Sequence, residues 1–419
     1  MMNVIEDLEY RGLLFQVTDK EALLKALEKP IGLYCGFDPT ADSLHVGNLL
    51  QIIVLKRFQD AGHKPIALVG GGTGLIGDPS GRSSERQLNE QGIVEEWGGK
   101  LKAQLSRFLN FDEGSNKAIL VNNYDWLGNM SLISFLRDIG KHFPVNYMLS
   151  KDSVTSRMEA GISYTEFSYM MLQAYDYLNL FEKEDARLQI GGSDQWGNIT
   201  AGLELIRRTG HDEQAFGLTM PLITNSEGQK LGKSMGNGIW LDPEKTTPYE
   251  FYQFWINTDD RDVIRFIKYF TFLSKEEIEA LEKEVETAPE KRVAQKALAK
   301  ELTTFVHGEA AYHQAVKITE ALFSGNIKAL SADDIKQGFK DVPSYKMDSK
   351  EDLGLVDLLV TAGVSSSKRQ AREDIGNGAI YINGERQTDV QYTVSENDRI
   401  EGQFILIRRG KKKYTLIQY

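Results

Sequence analysis

The 419-residue chain has a single cysteine, Cys35. An intramolecular disulfide is therefore impossible, and no cysteine pair exists to hold zinc. No stretch approaches the ~20 apolar residues that a membrane span needs. The opening segment MMNVIEDLEYRGLLFQ is acidic and amphipathic, unlike the basic start and apolar core of a secretory signal. These absences lead to the expectation of a cytoplasmic protein with no membrane contact and no structural metal. Internal repeats and low-complexity tracts are also missing. Basic residues are outnumbered, 49 Lys+Arg against 60 Asp+Glu, and the net charge of −11 excludes a protein that coats nucleic acid by bulk attraction. The balance is uneven along the chain: residues 350–419 hold 11 Lys/Arg against 10 Asp/Glu. The closing FILIRRGKKKYTLIQY has five basic residues and no acidic one, so any broad contact with a polyanion falls to this tail.

The length suits two or three domains with at least one large core. IGLYCGF (31–37) and KPIALVGG (64–71) are apolar runs ended by turn residues, as buried parallel strands would be. Between them, VGNLLQIIVLKRFQDAGH has helical length and periodicity. KAILVNN and RLQIGG are further strand candidates separated by helical stretches. The alternation predicts an α/β, Rossmann-like parallel sheet, with ligands beyond the carboxyl ends of its strands. After about residue 245 charged helical sequence takes over. We expect a catalytic domain at 1–220, a loop and connection at 221–247, and a helical domain at 248–323. A polar linker is expected at 324–352, and a small α+β unit at 353–419.

Five segments carry candidate chemistry. In FDPTADSLHVGNLLQ (37–51), His45 and Gly47 open a helix, where free N–H groups attract anions and glycine permits close approach. A helix cap with an incidental histidine is the alternative. A metal site is disfavoured, because no second histidine lies at ligand spacing. VGGGTGLIGDPSGR (69–82) follows a strand directly and ends in Arg82, with Arg86 four residues later. Such a loop lets backbone approach a nucleotide, though the Walker spacing is absent and a structural turn would look alike. In YTEFSYMMLQAYDYLNLF (164–181), Tyr169, Gln173 and Asp176 share one face of an otherwise apolar helix. A buried carboxylate there needs a donor from ligand, protein or water. QIGGSDQWGNI (189–199) places Asp194 and Gln195 at a helix start, as a cap or as a polar-substrate contact. SEGQKLGKSMGN (226–237) offers Lys230 and Lys233 in a glycine-rich loop, either solvated or as cations for phosphate.

Taken together, these segments resemble bacterial tyrosyl-tRNA synthetases, a branch of the class I aminoacyl-tRNA synthetases. HVGN looks like the HIGH signature and KLGKS like the KMSKS loop. YCGFDPTADSLHVGN, GLIGDPSGR, GGSDQWGNI and GHDEQAFGLTMPL match the tyrosine-specific branch, and LVDLLVTAGVSSSKRQAREDIGNGAIYING resembles its C-terminal S-four RNA-binding module. The resemblance spans the whole chain. Two positions depart from the common pattern: Asn48 replaces the last histidine of HIGH, and Arg82 stands where lysine is frequent.

The resemblance implies a two-step reaction in which tyrosine and ATP give tyrosyl-adenylate and pyrophosphate, and tyrosine then passes to the 3′ end of tRNA(Tyr). It assigns Thr40, His45, Arg82, Arg86, Lys230, Lys233 and Ser234 to the pyrophosphate. Asp78, Tyr169 and Gln173 would hold the substrate ammonium, Tyr34 and Asp176 the phenol, and Gln195 the carboxyl region. Cys35, Gly36, Asp38, Gly47, Asn48, Gly192, Asp194 and Lys233 would meet ATP, Cys35, Asn48 and Asp194 at its ribose. Mg²⁺ would accompany the ATP phosphates. Transfer RNA would contact Arg207, Arg208, Lys368, Arg369, Arg372, Arg408, Arg409 and Lys411 to Lys413, bridging the subunits of a homodimer. The rivals are the tryptophan-specific sister enzyme, another nucleotidyltransferase, and a catalytically silent, synthetase-derived RNA-binding protein.

Overall fold

The computed structural model describes residues 2–84, 86–231, 238–411 and 413–419. Lys233, Ser234 and Lys412 lie outside them. The chain divides into two compact units, one of Met1–Lys245 with Thr258–Leu298, the other of Thr246–Asn257 with Ala299–Tyr419.

The first unit is built on six strands: β1 (Gln16–Val17), β2 (Gly32–Phe37), β3 (Lys64–Val69), β4 (Ile119–Asn122), β5 (Ala186–Gly192) and β6 (Phe216–Met220). Their order is β1-β6-β5-β2-β3-β4. All neighbours are parallel except β1, which pairs antiparallel with β6 through Gln16 and Thr219. From β2 the chain moves toward β3, and from β5 it moves the other way, to β6. The crevice between β2 and β5 is therefore the topological switch point, where open α/β sheets bind their ligands.

The apolar runs become strands because both faces of the sheet are covered, so no residue along them needs to be polar. Leu33, Tyr34, Ile66, Ala67 and Val69 are all buried. The helix Val46–Asp60 follows β2 and buries eight apolar residues nearly all round. It ends where Gly62 takes a positive φ of 97°. Helix Tyr164–Glu184 buries Tyr169, Met170, Ala174, Asp176 and Tyr177, and Asp185 in the left-handed region ends it.

In the second unit a five-stranded sheet has the order β10-β9-β12-β13-β7. These are β7 (Ser344–Lys346), β9 (Ile380–Ile382), β10 (Glu385–Gln387), β12 (Phe404–Arg409) and β13 (Lys413–Gln418), while β8 (Leu353–Gly354) and β11 (Thr393–Val394) pair separately. Side chains of β12 alternate between two cores. Ile405 and Ile407 pack with the helices Leu355–Thr361 and Lys368–Gly376, while Phe404 and Leu406 pack with Ile318, Ile335 and Phe339.

Two sequence expectations differ from this picture. Residues 324–352 read as a linker because they are polar, yet they contain the helix Ala332–Gly338 and strand β7. Few apolar side chains suffice there, since Ile327, Leu330, Ile335 and Phe339 all point into one core. Helices between 248 and 323 do not form a body of their own. Pro248–Ile256 belongs with the C-terminal unit and Asp260–Phe270 with the first.

Candidate active site

A cleft of about 780 Å³ opens at the carboxyl ends of β2 and β5. Every described residue assigned above to tyrosine, ATP or pyrophosphate lines it. Residues from positions 34 to 230 converge because strand ends, and the loops that follow them, meet at the switch point.

At its floor, Tyr34 and Asp176 are buried, at 1% and 2% exposure. Asp176 accepts from Trp126 Nε1 at 2.8 Å and from Asn123 Nδ2 at 2.9 Å. Burial nevertheless pushes its carboxyl up to about 8. The Tyr34 hydroxyl, also buried, has no hydrogen-bond partner among the described residues. Burial and the neighbouring Asp176 hold the Tyr34 phenol well above its usual range, so it is a donor.

Above the floor lies a carboxylate-rich middle. Asp38, read from the sequence with the ATP group, accepts from Tyr169 Oη and from Thr73 Oγ1, each at 2.7 Å. Burial raises its carboxyl to about 6. Asp78 accepts from Gln195 Nε2 at 2.7 Å and from the Ser80 amide at 2.8 Å. Gln173 donates to Gln195 at 3.2 Å, and Asn198 bridges Gln173, Gln195 and Ser80. Asp194 is also raised, chiefly by burial and then by Asp78. Cys35 is buried too, its thiol pushed up to about 12 by desolvation, and stays neutral.

At the mouth His45 caps its helix. The Gly47 amide donates to His45 Nδ1 at 2.9 Å, so a neutral ring carries its proton on Nε2. Asn48 Oδ1 accepts in return from the His45 amide at 3.1 Å, completing a capping box. A Cβ on Gly47 would sit 2.6 Å from the imidazole Cε1, so the glycine makes room for the ring itself. Segment 239–241 runs antiparallel beside this start: the Val46 amide donates to Ile239 O and the Leu241 amide to Leu44 O, each at 2.9 Å. Trp240 meets the His45 ring edge-on, centroids 6.0 Å apart. Arg86 Nε donates to Asp78 O at 3.2 Å. Thr40, Arg82 and Lys230 complete the rim.

The basic residues read as RNA contacts lie elsewhere. Arg207 and Arg208 share Glu204, at 2.7 and 2.5 Å, and the Arg207 hydrogen bond holds that carboxyl at about 2. In the second unit Lys368 pairs with Asp357 at 2.6 Å and Arg409 with Asp374 at 2.9 Å. Arg408 lies 3.8 Å above the Tyr381 ring, while Arg369, Arg372, Lys411 and Lys413 are exposed.

Sequence reasoning missed Asn123, Trp126, Thr73 and Asn198. Asn123 follows a strand end, and Asn198 lies within a motif that had been singled out, so position offered a signal for both. Trp126 had none. Among the described residues no group of three His, Cys, Asp or Glu is placed to hold a metal, and no helix is long and apolar enough to cross a membrane.

The fold and cleft define a class, and comparison bears it out: the family model of tRNA synthetases class I (W and Y) matches residues 25–324, and the chain belongs to that family. The tyrosine--tRNA ligase SYY-like C-terminal domain matches residues 334–417. Tyrosine--tRNA ligase of Bacillus velezensis and tyrosine--tRNA ligase 1 of Bacillus subtilis are each 65% identical to the chain over 421 residues, covering 100% of both sequences. The crystal structure of a C-terminally truncated mitochondrial tyrosyl-tRNA synthetase from Aspergillus nidulans superposes with a TM-score of 0.69 at 34% identity, covering 77% of this chain and 95% of that one.

Proposed function

We propose that the cleft at the β2–β5 switch point carries out both steps of tyrosine–tRNA ligation, with each side chain in a defined role. The chain activates tyrosine with ATP and transfers it to tRNA(Tyr). The observation that carries the assignment of the floor is the unpartnered, buried Tyr34 hydroxyl beside the buried carboxyl of Asp176. A phenol can accept from Tyr34 and donate to Asp176. Phenylalanine would leave the Tyr34 hydroxyl unsatisfied and bring no donor to Asp176, which keeps only Trp126 and Asn123, and an indole offers a donor alone.

Asp78, Tyr169 and Gln173 hold the substrate ammonium, and Asp38 joins them through its bond to Tyr169. Gln195 orients the carboxylate. That nucleophile is already ionised at neutral pH and needs no general base, so acceleration comes from positioning and from stabilising the departing pyrophosphate. His45 donates from Nε2, and Thr40, Arg82, Arg86 and Lys230 supply further donors and positive charge. Lys233 and Ser234 are assigned to the same group. Cys35, Gly36, Gly47, Asn48, Gly192 and Asp194 contact the nucleotide. Because Asn48 Oδ1 already accepts from His45, the ribose contact falls to its amide nitrogen. Mg²⁺ rides on the ATP phosphates, whose charge it neutralises; the cationic rim fits the metal–phosphate complex better than a protein cage for the ion.

In this reading residues 353–419 form the RNA-binding end, and Arg207 and Arg208 meet tRNA on the catalytic unit. A second copy of the chain covers the apolar surface of Leu132, Ile133 and Val145, which are 69%, 73% and 63% exposed. Ile133→Asp should shift sedimentation from dimer to monomer. The setting is the cytoplasm.

The test is exchange of labelled pyrophosphate into ATP, without tRNA, in the presence of tyrosine, phenylalanine or tryptophan. Tyrosine alone should support exchange. Exchange with tryptophan would reassign the floor, and silence with all three from folded protein would leave an RNA-binding protein.

A further inference from the structure

We infer that Glu166 and Arg157 form a buried positioning pair that sets Arg86 for the pyrophosphate. The inference rests on the reading of Arg86 given above. Glu166 is 1% exposed and Arg157 3%, and their charges meet at 2.9 Å between Arg157 Nη2 and Glu166 Oε2. An isolated buried ion pair costs desolvation and is weak support for stability. This pair has a further connection. Glu166 Oε1 accepts from the backbone amide of Arg86 at 3.1 Å, across 80 residues of sequence.

Arg86 is thereby fixed at three points. Glu166 holds its amide, Asp78 O accepts from its Nε at 3.2 Å, and its aliphatic stem lies over Gly77. A Cβ on Gly77 would come within 2.9 Å of Arg86 Cδ, and the glycine's φ is +89°. Glu166 is anchored in turn by the start of its own helix, where its amide donates to Ser163 Oγ at 3.2 Å. The Glu166 charge also acts on Arg82, among the forces on that guanidinium. Arg157 Nε and Nη1 are buried without a hydrogen-bond partner among the described residues, and Nη2, besides meeting Glu166, donates only to Gly161 O at 3.4 Å, so Glu166 is the one charged group that its guanidinium pairs with among the described residues. With Arg157 absent, a bare Glu166 carboxylate would compete with pyrophosphate for the guanidinium of Arg86. With Glu166 absent, the Arg86 amide would lose its acceptor and the loop 78–86 its tie to the helix.

The experiment compares wild type, Glu166→Ala, Glu166→Gln and the double variant Arg157→Met/Glu166→Met. Pyrophosphate exchange is followed as a function of pyrophosphate concentration, and tyrosine affinity is measured by equilibrium dialysis. Glu166→Ala should raise the KM for pyrophosphate and lower kcat by about tenfold or more, because a misplaced group costs rate out of proportion to its contacts. Tyrosine affinity should stay within about twofold, since ground-state binding uses other groups. Glu166→Gln keeps an acceptor oxygen and should lie between Ala and wild type. If Glu166→Ala does not fold, the apolar double variant replaces the pair without leaving a buried charge and carries the same expectation. Wild-type pyrophosphate kinetics in a folded variant lacking the acceptor, or an equal loss of tyrosine affinity, would overturn the inference. Failure of the parent reading shows separately, as wild-type protein silent with tyrosine.

Discussion

Tyr34 and Asp176 meet at the floor of the cleft, where burial and the Asp176 charge hold the Tyr34 phenol up. The Tyr34 hydroxyl is a buried donor with no acceptor among the described residues, and in the proposed reading the substrate phenol supplies one. Removing one such hydrogen bond costs about 0.5–1.5 kcal/mol. Tyr34→Phe should therefore raise the KM for tyrosine by about tenfold at most, leave kcat nearly unchanged, and narrow the preference over phenylalanine. Steady-state exchange with both amino acids would check it. Asp176 makes a second, pH-dependent statement. Its carboxyl holds a proton up to about 8, so the folded chain binds that proton more tightly than the unfolded chain. The stabilisation is complete below pH ~4 and is lost as pH rises through the folded value. Asp38 adds a narrower window, ending at about 6. The melting temperature of Asp176→Asn relative to wild type should climb from pH ~4 to ~8 and then level off. A difference that stays flat with pH would show that the buried carboxyl is ionised throughout.

At the scale of single elements, the first turn of the helix Val46–Asp60 holds both a capping box and His45, the proposed donor to pyrophosphate. Alanine at position 47 should favour the helix intrinsically by roughly 1 kcal/mol, yet it would displace the His45 ring. Gly47→Ala should therefore lower the exchange kcat by about tenfold or more while thermal stability and tyrosine affinity change little. An unchanged kcat would remove His45 from the pyrophosphate set. The same helix shows what was legible in the sequence. Its extent, the two flanking strands and the glycines at the strand ends follow from local periodicity and turn chemistry. The segments that line the cleft are legible in the same way, as strand ends, glycine-rich loops and one helical face, while the role of each residue within them comes from the resemblance to the synthetase family. The partners that hold those side chains were not legible. Asn123 and Trp126 reach Asp176 across about fifty residues, and Glu166 reaches the Arg86 amide across 80. No spacing rule links positions so far apart; only the tertiary fold does. Gly47 was noticed as a site of close approach, but the approaching group is a neighbouring side chain. The residues between 324 and 352 look like a linker because they are polar, yet a handful of apolar side chains, Ile327, Leu330, Ile335 and Phe339, is enough to tie a short segment into a core.

On the scale of the whole molecule, the net charge is negative while the C-terminal sheet presents Arg408 and Lys413 beside the exposed Lys411. Reversing Arg408 and Lys411 to glutamate should weaken tRNA binding and charging, and leave tRNA-independent exchange as it was. The slope of log affinity against log salt should fall by about 0.7–0.9 for each phosphate that is no longer neutralised. Equal weakening in both assays would mean that the substitutions disturb the fold rather than the grip on RNA.

The division of the chain has its own consequence. The polypeptide passes between the two units three times, near positions 245, 257 and 298. The helix Pro248–Ile256 belongs to the second unit, where Gln253 donates to Thr319 at 2.8 Å. A protease that nicks any one of those passages leaves two fragments still gripping each other through folded structure, so the cut protein should travel as one species until denaturant is added. A stop codon placed near residue 324 leaves that helix and its partner behind, stripped of the sheet that covered them. Shortening the second unit is a problem of re-covering its own core, not of choosing where to cut.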